Sequence, residues 1–211
     1  MQPTTGRAHH EIFQSRKSNL EVYRQFGGFF PFVLPVVSLL PAGGNGGAAT
    51  TALYYVTLKM ARGQEGQLIP AFFHSFKQNL KQATALWVGY LTVGILLVLD
   101  LVICLQTSSV LAGAMFFTSV VLLACWALFI TMLFPLVARC DNTIGALFKM
   151  GIAMALRNVM PVLAALMVTV AFFAVGVFVF WPVLLVAPGL ASYCNAFLFN
   201  RIFDKYGMTL E

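Results

Sequence analysis

Residues 83–105 read ATALWVGYLTVGILLVLDLVICL, and this run contains a single charged side chain, Asp100. At 1.5 Å per residue, a helix of this length is about 35 Å long, which exceeds the roughly 30 Å hydrocarbon core of a bilayer. The run therefore predicts a transmembrane helix. Three further runs of the same character follow it, at residues 110–134, 159–180 and 183–199.

The composition of the whole chain agrees with this prediction. Of its 211 residues, 60% are hydrophobic and only 9% are charged, and the mean hydropathy is +0.85. A water-soluble domain carries about 25% charged residues, so that class is excluded. The cysteines are too scattered for a disulfide scaffold, and we expect free thiols at Cys104, Cys125, Cys140 and Cys194.

Short links join the four runs in pairs. Residues 106–109 separate the first two runs, and Trp181-Pro182 separates the last two. Links this short connect antiparallel neighbours. The sequence therefore predicts two hairpins, at residues 83–134 and 159–199.

The N-terminal third predicts a shorter, less regular hairpin at residues 26–58. Its first apolar run is about 15 residues long and contains Pro31 and Pro35, which interrupt helical hydrogen bonding. Two structures fit: a kinked hairpin that crosses the membrane, which we favour, and a re-entrant pair of half-helices. The glycines of its turn favour close helix packing, and they are Gly43, Gly44, Gly46 and Gly47.

The positions of the 13 Lys and Arg residues predict the orientation. All of them lie before the first hairpin, in the connectors between hairpins or after the last run, and none lies in the turns at 43–47, 106–109 and 181–182. By the positive-inside rule, both termini and both connectors are cytoplasmic. The net charge of +6 is thus a sign of topology, and we expect no nucleic-acid binding.

Each connector ends in a stretch with the periodicity of an amphipathic helix, at residues 70–82 and 143–157. This pattern is typical of helices that lie at a membrane interface. Phe-Lys steps at 76–77 and 148–149 suggest an internal duplication of interfacial helix and hairpin. The apolar positions are Phe72, Phe73, Phe76 and Leu80 in the first stretch and Ile144, Leu147, Phe148 and Ile152 in the second.

Together these features predict an all-α, polytopic membrane bundle with about six transmembrane helices in three hairpins and two interfacial helices. The crossings number four if the first hairpin is re-entrant. The bundle forms one domain at residues 25–205, with a cytoplasmic arm at 1–24 and a cytoplasmic tail at 206–211.

Few side chains offer chemistry inside the predicted spans. Asp100 is the only acid in a long apolar run, where an acid is often a proton relay, ion site or partner contact, although Asp100 is near enough to the outer turn to reach interfacial water. Asn195 and Asn200 form a mildly polar stripe suited to helix packing. No histidine lies in a span. We therefore expect no enzymatic activity, no metal site and no cofactor.

The basic residues of the two interfacial stretches are the candidate binding residues. They should contact anionic lipid headgroups, which we favour, or an acidic protein partner. These residues are Lys77, Lys81, Lys149 and Arg157.

Two motifs, Ala52-Leu-Tyr-Tyr55 and Ser75-Phe-Lys-Gln-Asn79, resemble the YesL family of small bacterial membrane proteins, known as domain of unknown function 624. The resemblance extends over about residues 20–205 and is most specific in the first half. The chain departs from the family at residues 41–46, where its turn is longer and richer in glycine. The resemblance implies a multi-pass protein of the bacterial cell membrane without known catalytic residues. It also implies an association with carbohydrate uptake, because genes of such proteins often accompany those of sugar ABC importers.

Two functions therefore compete. The first is an accessory or assembly subunit that binds permease subunits of a sugar ABC importer. The second is a small transporter or channel with Asp100 in the substrate or proton path. Either protein could form a homo-oligomer.

Overall fold

The computed structural model describes residues 45–64, 67–107, 109–179 and 181–208. Within these ranges the chain forms six α-helices and no strand. The predicted N-terminal arm, the first limb of hairpin 26–58 and the turn residues Gly43 and Gly44 lie outside the described residues. The helices are α1 (Gly46–Met60), α2 (Leu68–Gln106), α3 (Val110–Val137), α4 (Ile144–Arg157), α5 (Val159–Phe178) and α6 (Val183–Lys205).

Four of the described helices, α2, α3, α5 and α6, are long and apolar enough to cross a membrane. They correspond to the four apolar runs of the sequence. In the most apolar stretch of each helix, the share that is buried in the protein ranges from 11% in α2 to 44% in α6. Exposed apolar surface of this extent is typical of helices that contact lipid, and it indicates a helical membrane protein.

The prediction of a separate interfacial helix at residues 70–82 is wrong. α2 continues unbroken through this stretch for 39 residues, a length of about 58 Å that is nearly twice the hydrocarbon core. Residues 78–88 contain no Gly or Pro that would end a helix, so the amphipathic stretch and the span form one element. We term residues 68–82 the α2 extension.

The second connector does form a separate helix, α4. It ends at Arg157, and α5 begins at Val159. Pro161, in the first turn of α5, has no N–H to donate to the Arg157 carbonyl, and its ring would clash with that carbonyl in a continuous helix. The chain breaks at Asn158, whose side-chain amide donates to the Met154 carbonyl over 2.9 Å. The two connectors therefore differ in structure.

α1 lies at the centre of the described bundle and packs against α2, α3 and α6. Its apolar surface extends around the helix, as expected for a helix enclosed by others, and only Thr50, Tyr55 and Lys59 are not buried. With 15 residues it is about 22 Å long, shorter than the hydrocarbon core.

The contacts of α2 divide along its length. Its N-terminal half packs on α1, where Phe72 and Met60 share one apolar cluster. Its C-terminal half packs on α3, where Trp87 contacts Phe134 with ring centroids 5.8 Å apart. α5 packs against α6.

The main apolar core lies where α1, α3 and α6 end. Its largest buried side chains are Leu58, Met132, Leu133, Leu136, Leu147, Phe199 and Phe203. The polar residues that follow these three helices are therefore brought together directly beyond the core.

Candidate functional site

One end of the bundle collects nearly all of the described charges. Gln78 of α2 bonds Asp141 after α3, and Arg139 after α3 lies 3.9 Å from Asp204 of α6. The N-terminal part of α2, the α3–α4 link and the C-terminus of α6 therefore adjoin. Only two described carboxylates, Asp141 and Asp204, are found there. We term this region the basic end, and its cations are Lys59, Arg62, Lys77, Lys81, Arg139, Lys149, Arg157, Arg201 and Lys205.

Asn200 joins three helices within the basic end. Its Oδ1 accepts hydrogen bonds from Arg62 Nε over 3.0 Å and from Arg139 Nη1 over 3.1 Å. Its Nδ2 donates to the Leu58 carbonyl over 3.0 Å. Since Arg62 follows α1 and Arg139 follows α3, one buried amide in α6 connects the C-terminal ends of α1 and α3.

Asp204, one turn after Asn200, supplies negative charge to this group. It pairs with Arg62 and lies 3.9 Å from Arg139 Nη2. We term Arg62, Arg139, Asn200 and Asp204 the Asn200 cluster. With two arginines and one acid, the cluster carries a net positive charge.

The Arg139 side chain is fully buried. It donates to the Met208 carbonyl, and its guanidinium carbon lies 4.9 Å from the centroid of the Phe203 ring. Burial, reinforced by the charge of Arg62 and opposed by Asp204, lowers the pKa of Arg139 to about 10. Arg139 therefore remains charged at neutral pH. Its two terminal nitrogens donate within the protein, whereas its buried Nε has no hydrogen-bond partner among the described residues. This geometry suits a structural role in which Arg139 holds helix ends together.

Sequence reasoning identified Asn200 but missed its three partners in the cluster. From the sequence, Arg62 and Arg139 count only among the cations that indicate the topology, and Asp204 has no predicted role. The available signals were the positions of both arginines just after helix ends and the four-residue spacing of Asn200 and Asp204, which places them on one helix face.

The four predicted binding residues Lys77, Lys81, Lys149 and Arg157 are all exposed. In the described ranges, none of them forms a hydrogen bond or ion pair with another residue. They lie on two different helices, so the structure divides them into two pairs, one on the α2 extension and one on α4.

On the α2 extension three exposed basic residues follow one face. His74, Lys77 and Lys81 are spaced by three and four residues, which aligns them along the helix. We term these three residues the α2 cationic stripe. The opposite face packs on α1.

The apolar face predicted for residues 70–82 is only partly correct. Phe72 is buried, but Phe73 is exposed, and Phe76 and Leu80 are half-buried. The stripe that packs on α1 includes small and polar residues, because they allow a close approach of the two helices. It consists of Phe72, Ser75, Asn79, Ala83 and Leu86.

Ser75 and Asn79 are the ends of one of the two motifs that resemble the YesL family. Both are buried, and the Asn79 amide donates to the Ser75 carbonyl over 3.1 Å. The amide thereby finds a partner within its own helix. The motif has a packing role at the α1–α2 contact.

The turn glycines Gly46 and Gly47 also lie at this contact. A Cβ on Gly47 would be 2.6 Å from the Trp87 Cβ and would also overlap the Ala83 carbonyl. A Cβ on Gly46 would be 3.0 Å from the Trp87 ring. Glycine at both positions allows the start of α1 to approach the α2 backbone.

Asp100 lies on the C-terminal half of α2 and is half-buried. Its carboxylate accepts a hydrogen bond from the Ser119 hydroxyl of α3. Elsewhere in the contact between α2 and α3, Trp126 packs on Gly94 and stacks on Tyr90 with ring centroids 4.3 Å apart. Asp100 is thus part of the α2–α3 contact. The described ranges contain no group of three His, Cys, Asp or Glu side chains suited to a metal ion.

Asn195, the other predicted polar residue of α6, is fully buried. Its amide donates to the Thr169 hydroxyl of α5 over 2.9 Å. Asn195 therefore links α6 to α5, whereas Asn200 links α6 to α1 and α3.

Residues 30–101 match the family model described as "Protein of unknown function, DUF624". The match covers about a third of the chain, including α1, most of α2 and both motifs that resemble the YesL family, and it confirms that resemblance. No curated protein and no solved structure matches the chain.

Proposed function

We propose that this protein is an accessory docking subunit of a bacterial membrane assembly and binds an acidic, cytoplasm-facing surface of a partner protein through the α2 cationic stripe. The observation that carries the proposal is the exposure of His74, Lys77 and Lys81 along one face of a helix. No carboxylate in the described ranges pairs with either lysine.

α2 is long enough to place this stripe outside the hydrocarbon core. Residues 83–106 alone give a helix of about 36 Å, which is sufficient to cross the core, and residues 68–82 add about 22 Å. By the positive-inside rule, the added length with its lysines lies on the cytoplasmic side.

Packing on α1 supports a rigid docking surface. Phe72 shares an apolar cluster with Met60 near one end of the extension, and Gly47 approaches Ala83 near the other. A surface that is already ordered loses less conformational entropy when a partner binds. A row of like charges adds specificity and faster association with an oppositely charged surface.

The resemblance to the YesL family suggests the identity of the partner. Since genes of such proteins often accompany those of sugar ABC importers, we propose a permease subunit of such an importer as the partner. The protein would then act in carbohydrate uptake in the cell membrane, with both termini in the cytoplasm.

A small transporter or channel is the second candidate function. The observation that favours it is Asp100, an acid within an apolar span that is half-buried and hydrogen-bonded to Ser119. In this alternative Asp100 would bind a proton or an ion during transport.

Copurification with charge-reversed variants tests the docking proposal. The tagged protein would be isolated from its native membrane in mild detergent, and the proteins that accompany it would be quantified by mass spectrometry. We expect permease subunits at near-equal amounts with the wild type and at least tenfold less with Lys77→Glu/Lys81→Glu.

Lys149→Glu/Arg157→Glu is the matched control, because it changes the net charge equally on the other exposed pair. It should retain the partner. Isolation of the wild type alone, or equal retention by both double variants, would reject the docking surface.

A further inference from the structure

α4 carries two apolar faces: one is buried against the protein, and the other is exposed apart from a contact of the Phe148 ring with the Phe129 ring of α3, with centroids 4.7 Å apart. Leu147, Gly151, Met154 and Ala155 are buried, and Gly151 lies against Phe129 of α3. The second face is exposed and has a spacing of four residues. We term it the α4 apolar row, and it consists of Ile144, Phe148, Ile152 and Leu156, with exposed fractions of 45%, 47%, 38% and 69%.

The α4 apolar row is followed directly by lipid-facing surface. After the break at Asn158, α5 begins with the exposed side chains of Val159 and Met160 and continues with exposed Leu163 and Met167. α5 is one of the helices able to cross a membrane. Lipid that contacts these side chains of α5 can therefore also contact the α4 apolar row.

Two cations border the row. Lys149 follows Phe148 and Arg157 follows Leu156, so each cation is displaced by about 100° around the helix from an apolar residue. Both are exposed and lack a carboxylate partner in the described ranges. An apolar row bordered along one side by exposed cations is the pattern of a helix in the headgroup region of an anionic bilayer.

The break at Asn158 fixes the end of α4. The Asn158 amide donates to the Met154 carbonyl over 2.9 Å and to the Tyr206 hydroxyl over 3.0 Å. The end of α4 is thus tied to the chain that follows α6. The break also frees α4 from the axis of α5, as a helix lying along the membrane surface requires.

We propose that α4 lies in the cytoplasmic headgroup layer and binds anionic phospholipid. The α4 apolar row contacts acyl chains, and Lys149 and Arg157 contact headgroup phosphates. This assigns the two predicted cation pairs to different ligands: lipid for α4 and a protein partner for the α2 cationic stripe.

Photo-crosslinking in native membranes tests the position of the row. The photoreactive residue benzoylphenylalanine would replace Leu156, and the adduct would be identified by mass spectrometry. Replacement of Met167 on α5 is the control for lipid contact, and replacement of His74 is the control for an aqueous face. We expect phospholipid adducts at 156 and 167 and none at 74. A protein adduct at 156, or no adduct there while 167 yields lipid, would overturn the proposal.

Native mass spectrometry tests the role of the cations. The purified protein would be titrated with phosphatidylglycerol and, separately, with phosphatidylcholine. Because each cation near a charged membrane surface contributes measurably to binding, we expect Lys149→Gln/Arg157→Gln to retain about tenfold less phosphatidylglycerol. Retention of phosphatidylcholine should not change.

Lys77→Gln/Lys81→Gln is the matched control for net charge and should retain phosphatidylglycerol as the wild type does. An equal loss in both double variants would indicate general surface charge and overturn the assignment to α4. Unchanged retention in Lys149→Gln/Arg157→Gln would also overturn it.

Discussion

Arg62 Nε donates a hydrogen bond to Asn200 Oδ1 over 3.0 Å, although the two residues are 138 positions apart in the sequence. The same oxygen accepts a bond from Arg139. A neutral amide therefore separates two guanidinium groups that would otherwise repel each other across the ends of α1 and α3. This bond stabilises the end of the bundle from which the α2 cationic stripe and α4 project.

We expect Asn200→Leu to destabilise the protein by about 3 kcal/mol, because it leaves buried arginine donors without an acceptor. For a chain of this size the loss corresponds to a decrease in Tm of roughly 6–12 °C, measured by thermal unfolding in detergent. Asn142→Leu is the control, since Asn142 is exposed. Equal Tm values for the wild type and Asn200→Leu would show that the Asn200 cluster does not hold the helix ends.

Asp204→Asn should have a much smaller effect than Asn200→Leu. The Asp204 side chain is 59% exposed, and ion pairs at exposed positions contribute up to about 1 kcal/mol. The loss of stability caused by Asp204→Asn should also be smaller in roughly 1 M salt, where the Debye length falls to about 3 Å. Thermal unfolding at low and high salt measures both effects. A salt-independent loss as large as that of Asn200→Leu would contradict this ranking.

Gly47→Ala should weaken the contact between α1 and α2. The added Cβ would overlap Trp87 and the Ala83 backbone, and overpacking of this kind costs about 1–3 kcal/mol. Gly89→Ala is the matched control on α2, because a Cβ there meets no atom within 4 Å and alanine favours a helix. Thermal unfolding should show a lower Tm for the first variant and an equal or higher Tm for the second. A Gly47→Ala variant as stable as the wild type would reject the close approach.

The transmembrane helices could be predicted from the sequence because length and apolarity are local properties. The extent of α2 could not be predicted from amphipathicity. The apolar face at residues 70–82 could pack either on a membrane surface or on a neighbouring helix, and in the structure it packs partly on α1. The absence of Gly and Pro from residues 71–88 was the better guide. At α4 the signal was Pro161, which separates this helix from α5.

The Asn200 cluster could not be predicted for a different reason. Arg139 and Asn200 are 61 positions apart, and Arg62 and Asp204 are 142 positions apart. Their proximity follows from the parallel packing of α1 and α6 and from the position of the α3 end. Asn200 itself was identifiable because a polar residue in an apolar run needs a partner.

Asp100→Asn distinguishes the two candidate functions. The variant keeps an oxygen that can accept the Ser119 hydrogen bond, so we expect a stability change below about 1 kcal/mol. Under the docking proposal, copurification of the partner should equal that of the wild type. Under the transporter alternative, the carboxylate itself is required, and uptake by the protein reconstituted in liposomes should be abolished. Ser119→Ala is the control, because it removes the hydrogen bond and keeps the charge. Loss of uptake in Asp100→Asn but not in Ser119→Ala, with the fold and Tm intact, would favour transport over docking.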